Sequence, residues 1–159
     1  MPSILFVCTA NRFRSPIAAI YFARSVVKQG DDNFITVSSA GTWTVPDQPV
    51  TTEALLEADK YALNLSLHKS RLITRAMLSK TDLILVMENN QKEALCQEFP
   101  DLADRIYLLT EVVKGRSEDV PDPYGTEEPA ADVAAEIVNL IDQGYDQIIK
   151  LARMNTTRS

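Results

Sequence analysis

The stretch ILFVCTANRFRSP, at residues 4–16, passes from an apolar run through a polar loop to a helix start. The four apolar residues that open it are typical of a short strand buried in a parallel sheet. Ser15 and Pro16 are typical of an N-cap residue and of the first position of a helix. The pattern therefore predicts a strand-to-helix loop with Cys8 at its start and Arg14 at its end.

This loop has the composition of an anion site built around a cysteine. The N-terminus of a helix offers free backbone N–H groups and the positive end of the helix dipole, and both favour a bound phosphate. The same surroundings favour the thiolate form of a nearby cysteine, which is its nucleophilic form. Arg14 adds a cation. We therefore expect Cys8 to act as a nucleophile in a phosphate-binding loop.

Composition and charge restrict the class of protein. The chain has 159 residues, 45% hydrophobic and 24% charged, so we expect one domain, placed at residues 1–154 and followed by a disordered tail at 155–159. The formal net charge of −6 argues against general binding to nucleic acid or to anionic membranes. The chain enters its first strand without a leader, and no segment approaches the roughly 18 apolar residues of a membrane span. A cytoplasmic location is predicted.

Cysteine and histidine are scarce, which restricts metal chemistry. Cys8 and Cys96 are the two cysteines and His68 is the one histidine, so they can form neither a disulfide framework nor a closed zinc site. Carboxylates that could hold magnesium do not cluster near the loop in the sequence. We predict chemistry that needs no metal and no other cofactor.

Apolar runs alternate with helical patterns along the rest of the chain, which is typical of an α/β domain with a mainly parallel sheet. The four predicted strands are residues 4–7, 34–39, 83–87 and 106–109. Helices are predicted after the first strand, at residues 51–63, at residues 91–99 and from Thr126 towards the C-terminus. The last helix has one apolar face, which we expect to cover the sheet.

A second functional element is predicted around Asp122, in the segment VPDPYG at residues 120–125. Ligands of open α/β sheets bind at the carboxyl ends of strands, and Cys8 stands at the end of the first one. A thiolate displaces the leaving oxygen of a phosphate ester best when a general acid protonates that oxygen, and Asp122 is the candidate. Tyr124 could form an aromatic wall for a flat substrate ring. Taken alone, however, Pro-Asp-Pro-x-Gly is better explained as a solvated turn.

Together these segments resemble the low-molecular-weight protein tyrosine phosphatases, which have a Cys-x5-Arg-Ser loop near the N-terminus and an Asp-Pro loop near the C-terminus. CTANRFRSP at residues 8–16 and DPY at 122–124 match the two signatures. SAGT at residues 39–42, LHKSR at 67–71 and DLILVM at 82–87 also look like the family, so the resemblance covers nearly the whole chain. It implies a three-layer α/β/α fold of the phosphotyrosine protein phosphatase I type, with four parallel strands in flavodoxin-like winding.

The resemblance also implies catalytic roles. Cys8 would form a phosphocysteine intermediate, Arg14 would bind two phosphoryl oxygens, and Asp122 would act first as the acid and then as the base. The backbone N–H groups from Thr9 to Arg14 would complete a cradle for the transition state, which would then need no metal.

Further residues would support the loop or contact the substrate. By resemblance, Ser15 would bond the sulfur of Cys8, Asn11 would brace the loop, and His68 would be structural. Residues expected to bind the phosphate or the substrate are Thr9, Ala10, Asn11, Arg12, Phe13, Ser15, Trp43 and Tyr124.

Three loop residues depart from the family pattern. Ala10 stands where glycine is common, and a left-handed backbone there would cost an alanine roughly 1–2 kcal/mol. Phe13 stands where many members have a second cysteine, so Cys8 lacks an adjacent partner for a protective disulfide. Arg12 replaces an apolar or small residue, and its charge would favour acidic peptides or narrow the opening.

The choice of substrate stays open from the sequence. Related phosphatases act on phosphoarginine, but they favour a small threonine where this chain has Arg12, which would repel a guanidinium leaving group. We therefore expect a phosphorylated protein or peptide carrying phosphotyrosine, with inorganic phosphate as a product. Arsenate reductases of the same fold use two further cysteines, and this chain has Cys96 alone in reserve. A non-catalytic phosphoprotein-binding module would not need both Cys8 and Asp122.

Overall fold

The first strand lies inside the sheet, with a neighbour on each side. The computed structural model describes residues 1–158. Strand β1, at Ser3–Cys8, pairs in parallel with β2 at Thr36–Gly41 and with β3 at Leu83–Val86, and β3 pairs in parallel with β4 at Ile106–Leu108. The strand order β2-β1-β3-β4 is that of flavodoxin-like winding. The predicted four-stranded parallel sheet is confirmed.

Helices cover both faces of this sheet. In chain order they are α1 at Arg14–Gln29, α2 at Thr52–Lys60, α3 at Arg75–Ser79, α4 at Asn89–Glu98, a 3₁₀ turn at Pro100–Arg105, α5 at Leu109–Lys114 and α6 at Ala130–Arg158. Successive β1 side chains point to opposite faces. Ile4 and Phe6 join the core beneath α1 and α6, whereas Leu5 and Val7 join the core beneath α3 and α4. The predicted three layers are therefore confirmed.

Helix α1 begins one residue before the predicted N-cap. Its N-cap residue is Phe13, and no side-chain hydrogen bond caps this end. Ser15 lies instead in the first turn, with its hydroxyl 3.0 Å from the sulfur of Cys8. The start of α1 thus keeps backbone N–H groups that no side chain caps, as an anion site at a helix N-terminus requires.

The C-terminal helix differs from the prediction at both ends. It starts at Ala130 rather than near Thr126, and it continues to Arg158. Asn155 is buried, and its side-chain amide Nδ2 donates to the backbone oxygen of Asp82 at 2.9 Å. This contact ties the end of α6 to the turn before β3, so the predicted tail is corrected for residues 155–158. Residue 159 lies outside the described residues.

Three short helical elements were not predicted: α3, the 3₁₀ turn and α5. Each has five or six residues, which is too short for a helical period to show in the sequence. In the described part of the chain, no helix is both long and apolar enough to cross a membrane.

Candidate active site

The loop between β1 and α1 brings Cys8 and Arg14 to the carboxyl edge of the sheet. Cys8 is the last residue of β1 and Arg14 is the first residue of α1, and both are almost fully buried. The hydroxyl of Ser15 lies 3.0 Å from the Cys8 sulfur and accepts a hydrogen bond from Nδ2 of Asn11 at 2.8 Å. Because that bond uses an acceptor position of the hydroxyl, the hydroxyl's own hydrogen can point at the sulfur or at the backbone oxygen of Ala40, 3.4 Å away.

Asn11 adopts the left-handed backbone conformation of this loop. Its φ is 57°, whereas Ala10 is not among the residues with positive φ, so the predicted strain at Ala10 is wrong. Asparagine tolerates this region better than alanine does. Its side chain also fixes the loop from within, because Nδ2 donates to Ser39 Oγ at 3.0 Å and Oδ1 accepts from the backbone N–H of Arg71 at 2.9 Å.

His68 supports the same loop from the side of the sheet. Its ring nitrogen Nε2 is 2.8 Å from the backbone oxygen of Asn11. Burial, with a smaller contribution from the charge of Arg71, lowers the pKa of His68, and the contact with the Asn11 carbonyl opposes this shift only in part. A neutral imidazole with Nε2 as the donor fits this contact, which is the arrangement of a structural histidine.

Arg14 is oriented by Glu88, a residue that the sequence analysis missed. Glu88 is the N-cap of α4 and follows β3, the neighbour of β1. Its Oε1 accepts from Nη1 of Arg14 at 2.8 Å, and the same Nη1 donates to the backbone oxygen of Val120 at 2.8 Å. An acidic residue directly after a buried strand, at the edge where Cys8 lies, was the signal that could have identified it.

Gln91 connects the start of α4 to the loop and was also missed. Its Oε1 accepts from the backbone N–H groups of Met87 and Glu88 at 3.0 and 2.9 Å, and its Nε2 donates to Thr9 Oγ1 at 3.0 Å. One buried side chain therefore fixes both Thr9 and the backbone that carries the partner of Arg14.

Asp122 lines the same cavity as Cys8. Its Oδ2 is 3.6 Å from Nη2 of Arg14, its side chain is 35% exposed, and its Oδ1 accepts from the backbone N–H of Tyr124 at 2.9 Å. The hydroxyl of Thr126 donates to the backbone oxygen of Asp122 at 2.7 Å. These local bonds form a tight turn that presents the carboxyl group to Arg14.

The β1–α1 loop, the start of α2 and the loop that carries Asp122 line a cavity of about 110 Å³. Its lining residues are Cys8, Ala10, Arg12, Phe13, Arg14, Thr51, Asp122 and Tyr124. Thr51, the N-cap of α2, was not predicted. Thr9, Asn11 and Ser15 are absent from this lining and contribute the hydrogen bonds that brace the loop.

One protein family accounts for nearly all of the described chain. Residues 3–158 match the model of the low molecular weight phosphotyrosine protein phosphatases. The chain belongs to this family. A protein-arginine-phosphatase of Bacillus subtilis is 35% identical over 77% of this chain and 79% of its own length.

Solved structures of this family have the same fold. A low molecular weight protein tyrosine phosphatase from T. tengcongensis is 32% identical, with a TM-score of 0.82 over 94% of this chain and 99% of its own. The arginine phosphatase YwlE, as a cysteine-to-serine mutant with a phosphorylated active-site serine, is 29% identical, with a TM-score of 0.86 over 93% of this chain and 96% of its own. Both names, tyrosine and arginine phosphatase, thus occur among the relatives of this phosphatase.

Trp43 is another predicted site residue that does not line the cavity of this phosphatase. Its backbone N–H donates to the backbone oxygen of Thr9 at 3.0 Å, but its side chain is 83% exposed and does not line the cavity. Thr51 and Tyr124 line the cavity, and the contact of Trp43 with a bound substrate stays a prediction.

Within residues 1–158, no three or more His, Cys, Asp or Glu side chains are grouped so that they could hold a metal ion.

Gly41 allows the loop between β1 and α1 to lie against β2. A Cβ at this position would lie 2.5 Å from the backbone oxygen of Thr9 and 3.2 Å from Cβ of Asn11. Since backbone atoms cannot rotate away, Gly41→Ala is expected to lower the free energy of unfolding by about 1–3 kcal/mol and to weaken the binding of inorganic phosphate. Urea unfolding and competitive inhibition by phosphate measure the two effects.

The matched control is Gly125→Ala, whose added Cβ meets no atom within 4 Å. Its urea midpoint should stay close to that of the unsubstituted protein. A Gly41→Ala variant with the same midpoint and the same phosphate inhibition would contradict the close packing of loop and strand.

Proposed function

We propose that this protein hydrolyses phosphotyrosine in proteins through a phosphocysteine intermediate, with Cys8, Arg14 and Asp122 as its catalytic residues. The observation that carries the proposal is their convergence on one small cavity from two distant parts of the chain, the β1–α1 loop and the loop that carries Asp122. The phosphorylated active-site serine in the YwlE mutant supports a covalent intermediate at the corresponding position. The tyrosine phosphatase from T. tengcongensis supports the phosphotyrosine substrate.

In the first step, the sulfur of Cys8 attacks phosphorus. The S–P bond forms while the bond between phosphorus and the tyrosine oxygen breaks, and Asp122 transfers its proton to that oxygen. Arg14, held by Glu88 at 2.8 Å, binds two phosphoryl oxygens, and the backbone N–H groups of residues 9–14 bind the remaining negative charge. Arginine and amide groups thus supply the positive charge that the transition state requires.

In the second step, water releases the phosphate. The carboxylate of Asp122 takes a proton from water, the water oxygen bonds to phosphorus, and the electron pair of the S–P bond returns to Cys8. The hydroxyl of Ser15, 3.0 Å from the sulfur, is positioned to stabilise the thiolate as it leaves. The product is inorganic phosphate, and the enzyme returns to its starting state.

Phosphoarginine is a second candidate substrate, since the arginine phosphatase of B. subtilis is a relative at 35% identity. Arg12 argues against it in this chain. Its Nε donates to the backbone oxygen of Pro49 at 2.8 Å, and its backbone oxygen accepts from the N–H of Thr51 at 3.0 Å, which holds Arg12 at the cavity wall. A fixed guanidinium there repels the guanidinium of phosphoarginine and is compatible with a neutral phenol.

The test compares phosphate release from matched phosphotyrosine and phosphoarginine peptides in excess EDTA. We expect the phosphotyrosine peptide to react faster and Asp122→Asn to slow its turnover by about 100-fold. Arg12→Thr should raise the ratio of phosphoarginine to phosphotyrosine rates by about tenfold, and Arg12→Lys, which keeps the charge, should leave that ratio nearly unchanged.

Two outcomes would overturn the assignment. A faster reaction of the phosphoarginine peptide with the unsubstituted protein would make this an arginine phosphatase. Binding of phosphotyrosine peptide without any release of phosphate would make it a phosphoprotein-binding module.

A further inference from the structure

The N-terminus of α2 contacts both loops of the proposed active site. Thr51 donates its backbone N–H to the backbone oxygen of Arg12, in the phosphate loop, at 3.0 Å. Two residues later, Oε2 of Glu53 accepts a hydrogen bond from the hydroxyl of Tyr124, which belongs to the loop that carries Asp122. Glu53 takes no part in the two steps of the proposed reaction.

The loop that carries Asp122 is held to the start of α2 through Tyr124, whose hydroxyl bonds the side chains of Glu53 and Thr51. Residues 121–129 contain no helix or strand, and the side chains of Asp122 and Thr126 bond within the loop itself. Its carboxyl contact with Arg14 is long, at 3.6 Å, and most of its residues are exposed. The Tyr124–Glu53 bond is therefore an anchor between this loop and a regular element of the fold.

We propose that Glu53 is a positioning residue, which holds the hydroxyl of Tyr124 and thereby keeps the carboxyl group of Asp122 within reach of the leaving oxygen. This inference rests on the proposed role of Asp122 as the general acid. Helix α2 would then have a positioning role, because it links the loop that binds phosphate to the loop that delivers the proton.

The charges of the two partners fit this assignment. The hydrogen bond from Tyr124 lowers the pKa of Glu53, so the carboxylate is the form that the bond favours. Burial, followed by the bond to Glu53, raises the pKa of Tyr124, so its hydroxyl stays protonated and able to donate. Tyr124 is 53% exposed, however, and water competes for an exposed bond, so the expected effect is moderate.

A positioning role predicts a dependence on the leaving group. Phenolate is a poor leaving group and needs the proton of Asp122, whereas para-nitrophenolate leaves without much help. Glu53→Ala should therefore lower kcat/KM, which covers the step in which the leaving oxygen departs, by about fivefold for phenyl phosphate and by less than about twofold for para-nitrophenyl phosphate. Glu53→Gln keeps an oxygen acceptor for Tyr124 and should restore most of the lost activity.

Two further tests use Tyr124, the hydrogen-bond partner of Glu53, and a variant that lacks the Asp122 carboxyl group. Tyr124→Phe removes the hydroxyl and keeps the ring, so it should reproduce the effect of Glu53→Ala, and the double variant should be no slower than either single one. In an Asp122→Asn background, Glu53→Ala should cause no further loss. Asp59→Ala, which removes another exposed carboxylate of α2, is the matched control and should behave as the unsubstituted protein.

The outcomes separate this inference from the proposed function. If the unsubstituted protein releases no phosphate, or Asp122→Asn is fully active, the proposed function fails. If Asp122→Asn is slow and Glu53→Ala is normal on phenyl phosphate, the inference alone fails. Equal losses of kcat/KM on both substrates, or a Glu53→Gln variant as slow as Glu53→Ala, would also overturn it. Should Glu53→Ala unfold below the assay temperature, Tyr124→Phe decides the question by the same substrate comparison.

Discussion

Cys8→Ser is expected to reduce phosphate release from a phosphotyrosine peptide by a factor on the order of 10⁴ or more, in the presence of excess EDTA. A serine hydroxyl is far less ionised than a thiol and is a much weaker nucleophile at neutral pH. Cys8 is buried at the end of β1, and serine is similar in size to cysteine. The fold and the conformation of the loop at residues 9–14 should therefore persist. Rapid quenching followed by mass spectrometry should detect a phosphoryl group on Cys8 of the unsubstituted protein during turnover.

The matched control for this prediction is Cys96→Ser. Cys96 lies on α4, packs against the core beneath that helix and does not line the cavity. Its variant should keep the activity of the unsubstituted protein. If Cys8→Ser retained a tenth of the turnover, or if the phosphoryl group appeared on another residue, the assignment of Cys8 as the nucleophile would be wrong.

Arg14→Lys is expected to lower kcat/KM by a factor on the order of 10³, although the positive charge is kept. Nη1 of Arg14 already binds Glu88 and the backbone oxygen of Val120, so the planar guanidinium of this cavity-lining residue is fixed in direction. A lysine ammonium has one nitrogen and cannot bind Glu88 and two phosphoryl oxygens in this planar geometry. Steady-state kinetics and inhibition by inorganic phosphate should both show the loss.

Arg75→Lys is the control for Arg14→Lys. Arg75 also bonds a carboxylate through two nitrogens, at 2.9 and 3.3 Å from Asp101, but this pair is exposed and does not line the cavity. The kcat/KM of Arg75→Lys should equal that of the unsubstituted protein. Thermal unfolding should show that Arg14→Lys is folded, because the lysine still places a cation near Glu88. Near-normal kcat/KM in folded Arg14→Lys would exclude the planar binding of two oxygens.

Local sequence patterns predicted the elements that are long or strongly marked. The apolar run at residues 4–7 became β1, the alternation of strands and helices became the parallel sheet, and the apolar face of the last helix became part of the core beneath α1 and α6. The ends of elements were less well predicted. Ser15 fits the N-cap pattern, yet its hydroxyl contacts Cys8 because the loop curls back over the end of β1.

The backbone conformation of the loop between β1 and α1 could not be predicted from the local sequence pattern. The departure from glycine at Ala10 suggested strain there, but the left-handed residue is the neighbouring Asn11. Asn11 adopts the left-handed conformation because its side chain bonds Ser39 and the backbone of Arg71, in segments far along the chain. Bonds between distant segments produce no pattern in the local sequence.

The sequence by itself determined the order of the chemistry-bearing segments: a cysteine after the first strand, an arginine at the start of the next helix and an aspartate between two prolines near the C-terminus. Only the tertiary structure decided which side chains meet there. It placed Glu88 on Arg14, Gln91 on Thr9 and Glu53 on Tyr124, and it placed Trp43 outside the cavity. The physical reason is that a local pattern reflects the backbone preference and burial of one segment. Contacts between segments depend instead on how parallel strands bring the carboxyl ends of distant segments to one edge of the sheet.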